Sequence, residues 1–169
     1  MQKATRLLIA AFFGSIMFIT RFFVPEPISR LLIAVDAVLL ALSALFIKNV
    51  GATIVGAVGG VLTGLWLPSF LPFSVIFAFL YGIIVDASLF LFRVHATEKG
   101  VNRNRTIVAM ALGTLLIASI SYYATTYLKV IPSYPAIDML VLFMGPASGV
   151  SAGYAAAYLW NKYLKNIYI

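Results

Sequence analysis

The chain has 169 residues, 63% of them hydrophobic and 10% charged, with a mean hydropathy of +1.04. A soluble domain carries about 45–50% apolar and about 25% charged residues, so this composition excludes an ordinary water-soluble core. The formal charge of +7 does not point to nucleic acid, because the basic residues stand at the ends of apolar runs, and the lack of cysteine excludes disulfide and thiolate chemistry.

A spanning helix needs roughly 20 mainly apolar residues. Six such runs use nearly the whole chain, so the sequence predicts one all-α domain over residues 1–169, a six-transmembrane-helix bundle. The first run covers residues 5–24, with Lys3 and Arg6 at its start; it has no small-x-small cleavage site, and we read it as a retained span rather than a signal peptide. It stops at Pro25-Glu26-Pro27. The second, 30–47, ends at Lys48-Asn49, and the glycine-rich third, 50–67, ends at Trp66 and Pro68. The fourth, 73–92, meets the most polar stretch, 93–105. The fifth, 106–128, ends at Lys129 and Pro132, and the sixth, 136–160, leads to Lys162 and Lys165.

With the N-terminus inside, the inner face holds Lys3, Arg6, Lys48, Arg93, Lys99, Arg103, Arg105, Lys162 and Lys165, against Arg21, Arg30 and Lys129 outside. That bias predicts a multi-pass protein of the cytoplasmic (plasma) membrane with both termini in the cytoplasm. Trp66, Tyr127 and Tyr134 then fall at the outer interface, and Tyr158, Trp160 and Tyr163 at the inner one.

Small residues recur every fourth position: Gly56, Gly60 and Gly64 in the third span, Gly145, Gly149 and Gly153 in the sixth. Such rows let helices approach closely in lipid, either within the bundle or against another subunit. Ala10 with Gly14, and the adjacent pair Ala11 with Ser15, form shorter versions on the first span.

An ionisable group inside a span costs about 2.5–3.5 kcal/mol and marks a functional candidate. Asp36 lies about 10 Å below the outer end of the second span, at 1.5 Å per residue. Arg21, on the antiparallel first span, is within reach of it; the two form a structural ion pair or contact a polar ligand from outside. Asp86, a possible buried acid, has no basic residue one turn away on its own helix, so its partner comes from elsewhere. Asp138 opens the sixth helix, where a capping role suits it and where it lines the outer mouth. The fifth span has a hydroxyl-rich outer half of Ser119, Ser121, Tyr122, Tyr123, Thr125 and Thr126. With Tyr81 and Met144 it forms either an aromatic-polar cavity or ordinary interhelical hydrogen bonds.

No phosphate-cradling loop, nucleophile elbow or metal-binding motif is present, and His95 has only Glu98 as a nearby acid. We therefore expect no enzyme, no metal and no cofactor.

The run Ile47-Lys48-Asn49-Val50-Gly51-Ala52, the pair Tyr81-Gly82 with Asp86 four residues on, and Phe90-Leu91-Phe92-Arg93 resemble the substrate-binding (S) component of energy-coupling factor (ECF) transporters. The pattern is closest to the hydroxymethylpyrimidine/thiamine branch. The resemblance implies a non-catalytic subunit that takes a small organic solute from outside, thiamine-like or its pyrimidine precursor. A transmembrane coupling protein and two cytoplasmic ATPases would drive release, with Ala10 and Gly14 as the docking pair. The expected ligand-binding residues are Asp36, Arg21, Tyr81, Tyr122, Thr125 and Asp138. Two other classes compete: an accessory subunit of a larger membrane complex, with its cavity filled and Arg21 neutralising Asp36, and a small channel or self-contained carrier.

Overall fold

The computed structural model describes residues 3–24, 28–48, 50–66, 71–97, 99–129 and 133–165; Pro25, Glu26, Pro27, Asn49, Leu67, Pro68, Glu98 and Pro132 lie outside them. The described chain is helical apart from short connections. It comprises α1 (Lys3–Phe22), a 3-10 turn (Ile28–Leu32), α2 (Ile33–Ile47), α3 (Gly51–Trp66), α4 (Leu71–Leu91), α5 (Arg103–Thr126), α6 (Pro135–Leu159) and a π turn (Trp160–Leu164). The second span opens on the 3-10 turn rather than on α-helix at residue 30. Tightened 3-10 turns are common at helix starts, and this one brings Ser29 and Arg30 to the cavity described below. Pro72 and Pro135 fall in the first turns of α4 and α6, where a missing N–H costs nothing.

Five helical segments are long and apolar enough to cross a membrane, α2 being counted with its 3-10 turn and α6 with its π turn. α3 is apolar but has 16 residues, about 24 Å of helix against a hydrocarbon core of about 30 Å. Helices α2 to α6 close a ring in which each packs on the next and α6 returns to α2, while α1 lies outside on α2 and α3. α2 is the most enclosed span, with both charged and apolar residues buried: Asp36, Leu40, Ala41 and Ser43 are all inaccessible. The outward faces are apolar, with Leu7, Leu8 and Phe12 on α1, Ile76 and Phe79 on α4, Leu116 on α5 and Phe143 on α6 exposed. Polar groups inside and large apolar groups outside is the arrangement a helical membrane protein needs.

Glycine sets the two tightest seams. On the α3–α4 seam, a methyl added at Gly56 would collide with the Ala78 carbonyl, and one at Gly60 would fall 2.9 Å from the Ala78 Cβ. On the α5–α6 seam, a Cβ at Gly145 would sit 2.8 Å from the Ala118 Cβ, one at Gly149 would overlap Thr114 Oγ1, and one at Gly153 would sit 2.7 Å from the Ile107 Cα. Gly64 is buried on α3. These rows serve intramolecular packing.

Ala10 and Gly14, expected as a docking pair, lie against α3 in this chain. Ala10 is buried, and a Cβ at Gly14 would lie 2.6 Å from Val58 Cγ1 on α3, so the pair is consumed by the α1–α3 contact. The adjacent Ala11 is exposed and Ser15 half-buried. Spacing of four identifies a face, and the structure turns this one inward.

Asp86 explains the Tyr81-Gly82 segment. Gly82 and Asp86 lie one turn apart on the side of α4 that meets the start of α3, where a Cβ at Gly82 would collide with the Ala52 carbonyl. Through that close approach the Asp86 carboxylate accepts from the Ala52 N–H (3.2 Å), the Thr53 N–H (2.8 Å) and the Thr53 hydroxyl (2.6 Å). It is half-buried rather than buried, and its partners are the free donors and positive dipole end of α3. We expect Asp86→Ala to destabilise the fold by about 1–2 kcal/mol, as loss of an N-cap does, with Asp86→Asn intermediate. Thermal melts in detergent read both.

At the same end Phe46 meets the fully buried Trp160 edge-on at 5.1 Å. Asn161 clamps the α4–α5 connection, accepting from the Val101 N–H at 2.7 Å and donating to the Val101 carbonyl at 3.0 Å. Gly100 turns that connection at φ +111°, a region open to glycine. The two ends of the bundle are called the Trp160 end and the Trp66 end.

Candidate binding cavity

A cavity of about 400 Å³ lies at the Trp66 end, between the end of α1, the 3-10 turn and α2 to α6. Its polar part is built from two ion pairs. Arg21, in the last turn of α1, donates from Nη2 to Asp36 Oδ2 at 2.5 Å across the α1–α2 hairpin. Arg30, on the 3-10 turn, pairs through Nη1 with Asp138 Oδ1 on α6. The second oxygen of Asp138 accepts the Tyr134 N–H at 2.9 Å, so this carboxylate caps the start of α6 and binds a guanidinium together. The Arg30 guanidinium also lies 5.4 Å from the Tyr134 ring centroid. Two guanidinium groups face two carboxylates, which leaves these four cavity side chains with no net charge.

Deeper in, α4 contributes Tyr81, and α5 contributes Ser121, Tyr122 and Thr125. The Thr125 hydroxyl is satisfied by carbonyls of its own helix, Ser121 and Tyr122 at 3.0 Å each. Aromatic walls come from Phe22, Trp66, Phe73 and Phe77; Phe22 and Trp66 meet at 4.6 Å. Asp36 Oδ1 and Tyr81 Oη, both buried, have no hydrogen-bond partner among the described residues. Both residues line the cavity and are almost fully buried, at 1% and 4% exposed. An unsatisfied buried acceptor or hydroxyl carries a penalty of about 1–3 kcal/mol, which a polar molecule in the cavity would remove.

The structure thus brings Arg21, Asp36, Tyr81, Tyr122, Thr125 and Asp138 to one cavity. The hydroxyl-rich half of α5 divides: Ser121, Tyr122 and Thr125 face in, whereas Ser119, Tyr123 and Thr126 are exposed, and Ser119 bonds back to the Leu115 carbonyl. Met144 is exposed and does not line the site. Arg30, Trp66 and Phe77 are cavity residues that the sequence reading did not select. Arg30 carried a signal, since it and Asp138 both open spans at the same end of an antiparallel bundle. Among the described residues no group of three or more His, Cys, Asp or Glu is placed to hold a metal.

Comparison with known proteins gives no match, whether with family models, curated proteins or solved structures.

Proposed function

We propose that this chain is the membrane-embedded substrate-binding subunit of an ECF-type importer. It spans the bilayer six times with both termini in the cytoplasm and takes a small organic solute at the Trp66 end. ATP hydrolysis is left to two cytoplasmic ATPases acting through a transmembrane coupling protein. The observation that carries the reading is the cavity itself. Its volume falls in the range of about 300–1,000 Å³ usual for small-molecule sites, and its walls are aromatic with a few convergent polar groups. The unpartnered Asp36 Oδ1 and Tyr81 Oη ask for a ligand that offers an N–H or O–H donor beside a second hydrogen-bonding atom. Flat rings with amine or hydroxyl substituents meet that demand, as a pyrimidine of the thiamine-precursor type would. The balance of two cations and two anions favours a solute of low net charge.

Charge supports the orientation. Nine lysines and arginines lie by chain position at the Trp160 end against three at the Trp66 end, the bias expected if the Trp160 end faces the cytoplasm. α3 is a short span covered by α1, α2 and α4. One observation favours the accessory-subunit reading: Arg21 and Asp36 do pair. The same reading expects a filled cavity, and this one is open to a guest of about 400 Å³.

Native mass spectrometry of the detergent-purified chain, followed by identification of released small molecules, tests the reading. One ring-bearing adduct per chain, lost in Tyr122→Ala, is the expected result. A chain free of any adduct that copurifies with membrane subunits lacking ATPases would remove the cavity from consideration.

A further inference from the structure

By chain position nine lysines and arginines gather at the Trp160 end, and the only described carboxylate there is Asp86, whose oxygens are held by α3. Two of these cations rest against aromatic rings. Arg103, the first residue of α5, lays its guanidinium 4.2 Å from the ring centroid of Tyr154 on α6. Tyr154 stacks on Tyr158 at 6.2 Å with the rings 6° from parallel. Lys162, one further turn on, donates to the Tyr158 hydroxyl at 2.8 Å, and its ammonium stands 5.2 Å from the centroids of both Tyr158 and Tyr163.

The result is a continuous ladder of cation, ring, ring, cation, ring along the flank of the α5–α6 pair. All five side chains are exposed, while Gly153, Ala156 and Ala157 on the other side of α6 are buried against the bundle. Neither Arg103 nor Lys162 has a carboxylate partner among the described residues. Ring contacts fix long side chains without cancelling their charge, so two positive charges are presented with no carboxylate partner among the described residues. Above the ladder toward the bundle centre the same flank turns apolar, with Val150 on α6 and Val108 on α5 exposed.

We propose that this ladder is a binding site for an anionic phospholipid. Its anionic headgroup would lie along the ladder between Arg103 and Lys162, over Tyr154 and Tyr158, and its acyl chains along the Val108 and Val150 strip. The apolar strip continuous with the cationic ladder selects a lipid over a free phosphate, because only a lipid fills both. The site is independent of the transport reading.

The test is a native mass-spectrometry titration of the full chain with dioleoylphosphatidylglycerol against dioleoylphosphatidylcholine. Preferential retention of phosphatidylglycerol is expected, with a loss of about fivefold for each charge removed in Arg103→Gln and Lys162→Gln. Arg105→Gln, at the same helix end but without a ring contact, keeps wild-type retention. Tyr154→Phe keeps it and Tyr154→Leu reduces it, and the unchanged melting temperature of these surface variants verifies folding. Equal retention of the two lipids, an equal loss in Arg105→Gln, or displacement by millimolar inorganic phosphate would overturn the proposal, the last by making the site one for free anions.

Discussion

Arg21→Ala is expected to lower the melting temperature of the detergent-solubilised protein more than Asp36→Ala does, and Arg21→Ala/Asp36→Asn to recover most of that loss. The two halves of the pair differ in exposure, Arg21 being 30% accessible and Asp36 1%. Removing the arginine strands an almost fully buried carboxylate, and breaking a buried pair from one side costs about 3–5 kcal/mol. Removing the aspartate leaves a partly exposed guanidinium that can turn toward the Trp66 end, so the main loss is a charge-assisted hydrogen bond of about 1.5–3 kcal/mol. Asparagine in the double variant keeps the shape of Asp36 without its charge. The same variants separate scaffold from recognition. If the pair only holds α1 to α2, the refolded double variant keeps its bound solute. If Asp36 Oδ1 receives a ligand donor, the double variant melts near wild type yet carries at least tenfold less adduct. Equal destabilisation by the two single variants would refute the burial argument.

What was legible in the sequence follows from scarcity. Five carboxylates in 169 residues make each one conspicuous in an apolar span, and the three described ones all hold structural or cavity positions. Glycine rows on α3 and α6 were legible because a methyl-free row has one physical use in lipid, close approach. Direction was not legible. The spacing of Ala10 and Gly14 fits an outward or an inward face equally, and only the placement of Val58 on α3 decides it. The partners of Asp86 are two backbone N–H groups and the Thr53 hydroxyl, 33 and 34 residues away, and backbone donors leave no mark in a sequence. Arg30 stayed hidden because a basic residue at a span end already has a sufficient explanation in topology. Its partner is 108 residues distant. The 3-10 turn that aims Arg30 inward depends on tertiary contact with α6, and hydropathy is blind to it.

The α5–α6 seam is where a small change is expected to act furthest. In Gly149→Ala the added methyl would overlap Thr114 Oγ1 and lie 2.5 Å from the Met110 carbonyl oxygen and 2.8 Å from the Ala111 Cα. None of these can give way alone. Two of the three atoms are backbone, and the Thr114 hydroxyl is inaccessible and tied to the Met110 and Ala111 carbonyls at 2.8 and 3.0 Å. The helices must therefore move apart, and overpacking of this kind costs about 1–3 kcal/mol, more in Gly149→Val. Gly113→Ala on the same α5 is the control. There the nearest atom is the end of a serine side chain, Ser88 Oγ at 3.2 Å, and the better helix propensity of alanine, about 1 kcal/mol, offsets the crowding. The melt of Gly149→Ala should fall clearly below that of Gly113→Ala. Bound solute should fall with it, because Tyr122 and Thr125 on α5 face Asp138 on α6 across one cavity whose width that seam sets. Indistinguishable melts would mean that α5 and α6 pack more loosely than their glycines require.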